Sequence, residues 1–210
     1  MATGHTDPFT DFVKVIVSGD SATVIKLLDA SPLLAKQRAV HGATRQAPRQ
    51  NFFDRILHYM YAGDTALHMA AAAFQLRIVE KLITMGADVR ARNRRGAEPL
   101  HYAVDGGPGL PAWDPAAQVE IVARLIRAGA DPNALDKSGV APLHRAVRNR
   151  CAAAVRALIE GGADPSSPNR SGSTPMVLAT RNTGRGGSGS AKAKAQQQEI
   201  LRLLESHGAA

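Results

Sequence analysis

Four segments of this chain align on a common frame: GDTALHMAAAA from Gly63, GAEPLHYAVDG from Gly96, GVAPLHRAVRN from Gly139 and GSTPMVLATRN from Gly172. The opening glycines are 33, 43 and 33 residues apart. A second motif (MGADVRAR, AGADPNAL, GGADPSSP) trails each of the first three. Its glycine, Gly86, Gly129 or Gly162, always stands ten residues before the next opening glycine. A fixed connector at a period near 33 constrains the fold more than any other feature. A chain built this way buries its apolar faces by stacking copies of one supersecondary unit, not around one central core.

The residues within each copy specify that unit. Pro99, Pro142 and Pro175 fall in a first helical turn, where a missing N–H costs nothing and φ is already set. Thr65 and Thr174 stand where a hydroxyl caps the same helix. The alanines that follow allow short helices to pack closely. IVEKLI, IVARLI and AVRALI supply the apolar stripe of a second helix, and Gly-Ala-Asp ends it and turns the chain into a hairpin. Aromatics are only 4% of the 210 residues, which favours small packed helices over a β-sandwich.

The pattern closely resembles the ankyrin repeat, whose signature is T-P-L-H-x-A at a 33-residue period. The resemblance covers about residues 8–208. It implies one all-α domain over 1–210, a solenoid of five helix-turn-helix repeats with short hairpin connectors. The repeats fall at about 8–38, 61–93, 94–136, 137–169 and 170–210. The ends are weaker copies, as a stacked array requires. Residues 9–30 carry two helices without T-P-L-H. Glu205 replaces the apolar residue found at Leu28, Ile83, Ile126 and Ile159, so no further repeat is expected to pack there. Glu98 and Ala141 replace the capping threonine, Phe74 and Arg150 the glycine that closes the first helix, and Val177 the last motif histidine. These departures weaken local caps but leave the period intact.

Three insertions interrupt the frame. The motif leucine precedes the second-helix valine by 12 residues in two repeats (Leu67 to Val79, Leu143 to Val155). From Leu100 to Val122 the distance is 22, and from Met176 to Leu201 it is 25. DGGPGLPAWDP and RNTGRGGSGSAK are therefore extra loops between the two helices of a repeat. The third insertion, 39–60, separates repeats one and two. Phe53, Ile56, Leu57 and Met60 within it share a helical face, which predicts a short helix covering the first repeat's flank. The aromatics of the segment running on to Ala62, Phe52, Phe53, Tyr59 and Tyr61, also suit a docking element. GRGGSG at 184–189 matches G-x-G-x-x-G, but a dinucleotide site needs that pattern to follow a strand and open a βαβ helix. Here it follows a helix and reads as a tether exposing Arg185, and no cofactor is expected.

The recurrent histidines His68, His101 and His144 lie a repeat apart and do not converge on a metal. By the resemblance each bonds its own hairpin. Asp88, Asp131 and Asp164 read as turn-bonding residues. Cys151 is the only cysteine, which excludes an internal disulfide and a cysteine metal site and fits a cytoplasmic protein. It reads as a small half-buried residue, although Arg148 and Arg150 nearby would favour a thiolate. MATGHTDPF has no apolar signal core, and no stretch reaches 18 apolar residues, so no membrane association is expected.

The net charge of +8 permits acidic protein partners, nucleic acid or anionic lipid and does not choose among them. In the ankyrin family the hairpin tips and first helices line a concave face. Reading the residue after the motif histidine down the stack gives Lys14, Met69, Tyr102, Arg145 and Leu178. One turn on come Ala72, Asp105, Arg148 and Arg181. The tips add Arg90, Arg92, Arg94, Arg95, Lys137 and Arg170. The early groove is thus expected to be small and apolar and the later groove basic. The expected partner-binding set is Arg92, Arg94, Arg95, Tyr102, Lys137, Arg145, Arg148, Arg170 and Arg181, with Arg145 and Arg148 solvated in a free, monomeric protein. The chain reads as a non-enzymatic protein-interaction module. One alternative is nucleic-acid binding through the same arginines, with Tyr102 or Trp113 stacking on a base. Another is an enzyme or ligand site under the loops 105–117 and 181–197, near Asp105, Trp113, Asp114, Arg148 and Arg185.

Overall fold

Most helices start where the sequence supplies an acceptor for their free N–H groups. Asp7, Asp20, Asp114, Thr174 and Ser190 accept from backbone N–H groups of the first turn. In the repeats a histidine does part of this work. Nδ1 of His68, His101 and His144 accepts the N–H of Thr65, Glu98 and Ala141, three residues earlier. The resulting helices, seen in a computed structural model that describes residues 7–44, 46, 49–181 and 190–209, form five pairs. They are α1 (Pro8–Ser18) with α2 (Ser21–Ala30), α3 (Ala66–Ala72) with α4 (Leu76–Thr84), and α5 (Pro99–Ala103) with α6 (Pro115–Arg127). The last two pairs are α7 (Pro142–Arg148) with α8 (Ala152–Glu160), and α9 (Pro175–Thr180) with α10 (Ala191–Ser206). The GRGGSG segment and Arg185 lie outside the described residues.

The pairs stack in two layers. First helices touch first helices (α1–α3, α3–α5, α5–α7, α7–α9), and second helices touch second helices (α2–α4, α4–α6, α6–α8, α8–α10). One apolar seam runs between the layers through Leu67, Val79, Leu82, Leu100, Ile121, Leu125, Leu143, Val155 and Leu158, all essentially sealed from solvent. Ala70, Ala71, Ala103, Ala146 and Ala154 are equally buried, and their small size permits the close approach. In the last pair Glu205 and Val177 are both exposed. The hairpins stack as well: the opening Gly96 and Gly139 take φ values of +74° and +68°. A side chain at either would press on the backbone N of Lys137 or Arg170 in the next hairpin.

The 39–60 insertion is not the expected helix. Strands β1 (Phe52–Phe53) and β2 (His58–Tyr59) pair antiparallel, Phe52 opposite Tyr59, and their rings stand 4.7 Å apart. Leu57 sits in the turn at φ +48°, which no α-helix tolerates. Ile56 and Met60 do join the core, and Phe53 packs on it, but Leu57 is exposed, so three of the four expected apolar positions are covered and in a different geometry. Paired aromatics favour a pleated ribbon, and a single helical turn has no propagation to offset its nucleation.

The loop after α5 is clasped, not free. Gln118, fully buried, donates to the carbonyl of Ala103 and accepts at Oε1 from the indole N–H of Trp113 (both within 3 Å). Asn149 donates to the Val104 carbonyl, and Phe74, itself in the left-handed region at φ +55°, packs on Gly106. A Cβ on Gly107 would overlap the carbonyl oxygen of Asn149. Gly107→Ala is therefore expected to destabilise the protein by about 1–3 kcal/mol, the range for a forced overlap. Urea unfolding checks this, and an unchanged midpoint would mean the loop moves aside.

Candidate partner-binding groove

The concave side holds a cavity of about 1070 Å³. Its floor comes from Tyr102, Asp105 and Arg145. One side comes from the hairpin residues Ile56, Leu57, His58 and Tyr59. Leu110 of the clasped loop and Arg148, Leu178 and Arg181 of α7 and the α9 end line it too, as do tip residues Arg95, Asp136, Ser138, Asn169 and Ser171.

The floor is a closed polar network. Asp64, sealed from solvent, accepts from Tyr102 Oη (2.8 Å), Asn93 Nδ2 (2.8 Å) and the Tyr61 N–H (2.6 Å). Burial and the neighbouring Asp64 push the Tyr102 phenol well above its usual range, so it stays a donor. Arg145 Nη1 lies 2.7 Å from Asp105 and Nη2 lies 2.9 Å from Asp136, with only 13% of its side chain exposed. Burial works to raise the Asp105 carboxyl, but the Arg145 charge and the His58 bond outweigh it and hold it at about 2. Asp136 is lowered in the same way against its own burial. His58 links the hairpin to this floor. Its ring lies 4.5 Å from Tyr102, Nδ1 faces the Tyr59 carbonyl at 2.8 Å, and Nε2 faces Asp105 at 3.1 Å.

These contacts redistribute the expected binding residues. Tyr102 is 1% exposed and hydrogen-bonded within the floor, so it is not an open anchor. Arg145 is not solvated, because two carboxylates from different parts of the chain draw it inward. Arg92 reaches back to Glu98 (3.1 Å), and Arg94 donates to the Ala43 carbonyl. Arg94 and Arg95 both lie over the Tyr61 ring, at 5.4 and 5.0 Å, so they help seat the insertion. Lys137, Arg148, Arg170 and Arg181 are exposed. Lys14, also exposed, pairs with Asp11 at 2.8 Å. The early groove is not an open apolar channel: Met69 and Ala72 are buried in the same cluster as Ile56 and Met60 of the insertion.

Other expectations resolve by geometry. Asp88, Asp131 and Asp164 each accept the N–H two residues on, as turn residues do. His68 and His101 bond the following repeat instead of their own hairpin. Nε2 donates to Ala97 O (3.1 Å) and to Val140 O (3.0 Å), and both ring nitrogens are engaged. Cys151 is fully buried against Gln118 Oε1, and burial pushes its thiol up to about 11, so the arginines nearby do not yield a thiolate. Under the edge loop, Asp105 turns to Arg145, Trp113 to Gln118, and Asp114 caps α6, so these three do not converge. Trp113 is half-buried with Lys192 over its ring at 5.0 Å. Among the described residues no helix is long and apolar enough to cross a membrane.

A two-layer helical stack with hairpins along one edge and a built concave groove defines a repeat scaffold of the binding type. Residues 62–94 match the family model of the ankyrin repeat, and residues 115–209 match the model of ankyrin repeats in three copies. The chain belongs to the ankyrin-repeat family, whose repeats generally mediate protein–protein interaction. No curated protein matches it significantly. His58, Asp64, Asn93 and Gln118 were missed from sequence. Asn93 alone carried a signal, since Asp136 and Asn169 occupy the same place in the later hairpins.

Proposed function

We propose that the protein is a non-enzymatic interaction module that takes an acidic segment of a protein partner into the later half of its concave groove. One observation carries this reading. The two carboxylates that line the cavity, Asp105 and Asp136, are both bonded by Arg145, and Arg95, Arg148 and Arg181 line the same cavity. Lys137 and Arg170, beside the lining residues Ser138 and Ser171, extend the positive field along the hairpin tips. A pre-formed groove binds without ordering itself first, which suits recognition of an extended chain. The nucleic-acid alternative is weaker because Tyr102 is buried and Trp113 is covered on one face.

Arg148→Glu combined with Arg181→Glu tests the reading. A short glutamate-rich peptide is expected to bind the native protein and to lose on the order of a hundredfold in affinity to the double variant. Like charges now face each other across the groove. An oligonucleotide of equal charge, run in parallel by fluorescence anisotropy, is expected to bind more weakly. Equal peptide affinity for both proteins would remove the groove as the site, and tighter oligonucleotide binding would transfer it to nucleic acid.

A further inference from the structure

We infer that the 52–59 hairpin forms one wall of the partner site, with Leu57 at its tip receiving a bulky apolar side chain carried within the acidic segment. The inference rests on the groove reading above and specifies the partner's chemistry.

Leu57 is unfavourable twice over for the folded protein alone. It holds the left-handed conformation at φ +48°, a place for glycine or asparagine, and 53% of it is exposed. The fold does not need a leucine there. The hairpin is seated by His58 on Asp105 and Tyr102, by Ile56 and Met60 in the core, and by the Phe52–Tyr59 pair. The side chain lines the groove instead, as do Leu110 and Leu178. Strain and exposure that coincide on one residue of a binding cavity mark a contact that is completed by something else. The cations of the same cavity say what that is. Arg95, Arg148 and Arg181 call for carboxylates, and the three leucines call for an aliphatic or aromatic side chain between them. A polyanion without apolar side chains gains nothing from Leu57.

Two short peptides of glutamate and glycine serve as probes, identical except for a central leucine in one and a serine in the other. The native protein is expected to bind the leucine peptide roughly tenfold more tightly, the value of burying one such side chain. Leu57→Gly is expected to abolish that preference by weakening the leucine peptide roughly tenfold, with a far smaller change for the serine peptide. Its melting temperature should hold or rise, because glycine relieves the backbone. Leu57→Asn, which also accepts this conformation, guards against a glycine-loosened hairpin and should lose the preference equally. A native protein without the preference, or a Leu57→Gly variant that keeps it, would overturn the inference while leaving the acidic-partner reading in place. Failure of both peptides to bind at low salt would overturn that reading too. Self-association that weakens in Leu57→Gly would assign the wall to a second copy of the chain and likewise overturn it.

Discussion

Arg145→Ala is expected to cost about 3 kcal/mol of folding stability, the lower end of what breaking a buried ion pair costs. Among the described residues the guanidinium bridges Asp105, from the end of the repeat-three helix, to Asp136, in the following hairpin. Both carboxylates are largely buried, at 19% and 8% side-chain exposure. Removing Arg145 leaves His58 to support Asp105, while Asp136 keeps its backbone donors from Ser138 and Val140. That residual support places the cost near 3 kcal/mol and not higher. Arg145→Lys, a single point charge on a flexible stem, should recover part of the loss. Arg148→Ala, one turn along the same helix and exposed, should cost less than 0.5 kcal/mol or so. Urea unfolding of the three variants separates the roles. Equal midpoints for Arg145→Ala and Arg148→Ala would mean that the ion-pair bridge does not hold the repeats together.

Mild acid is expected to weaken the protein well before its carboxylates titrate. Burial lowers His101 from its ordinary 6.5 to about 4, with Arg145 adding to the effect and the Val140 carbonyl opposing it. His68 and His144 are lowered in the same direction, again chiefly by burial. A histidine whose folded pKa is depressed takes up its proton more readily when the chain is unfolded. Stability is therefore fully present above about pH 6.5, declines as pH falls, and stops declining on this account below about 4. His101 alone contributes a loss of about 3 kcal/mol over that window, from 1.36 kcal/mol per unit. Asp105, held at about 2 against an ordinary 3.8, adds a second loss of stability as pH falls from 3.8 through 2. Unfolding free energies at pH 7.5, 5.5 and 4.5 (trial values chosen on the order of that window) should fall in sequence, and His101→Asn should flatten the curve. A pH-independent midpoint across this range would show that the buried imidazoles are matched in the unfolded chain.

The period near 33 made the helix pairs and their order legible, because stacking repeats one set of burial requirements along the chain. The turn aspartates were equally legible, since an Asx turn is a bond across two residues and needs nothing from afar. The exposure of Arg145 was not. PLHRAVR places Arg145 and Arg148 on one helix a turn apart, and no local rule distinguishes them. The distinction comes from Asp105, forty residues earlier, and from a hairpin that folds over the groove.

The sequence by itself therefore determined the architecture, which follows from periodic, short-range chemistry. Only the tertiary structure decided which cation of the concave face turns inward onto carboxylates, as Arg145 does, and which stay exposed, as Arg181 does. The non-repeating 39–60 insertion has no second copy to define its frame. Its docking on Tyr102, Asp105 and the arginine tips depends on which buried polar groups must be satisfied once the stack has closed.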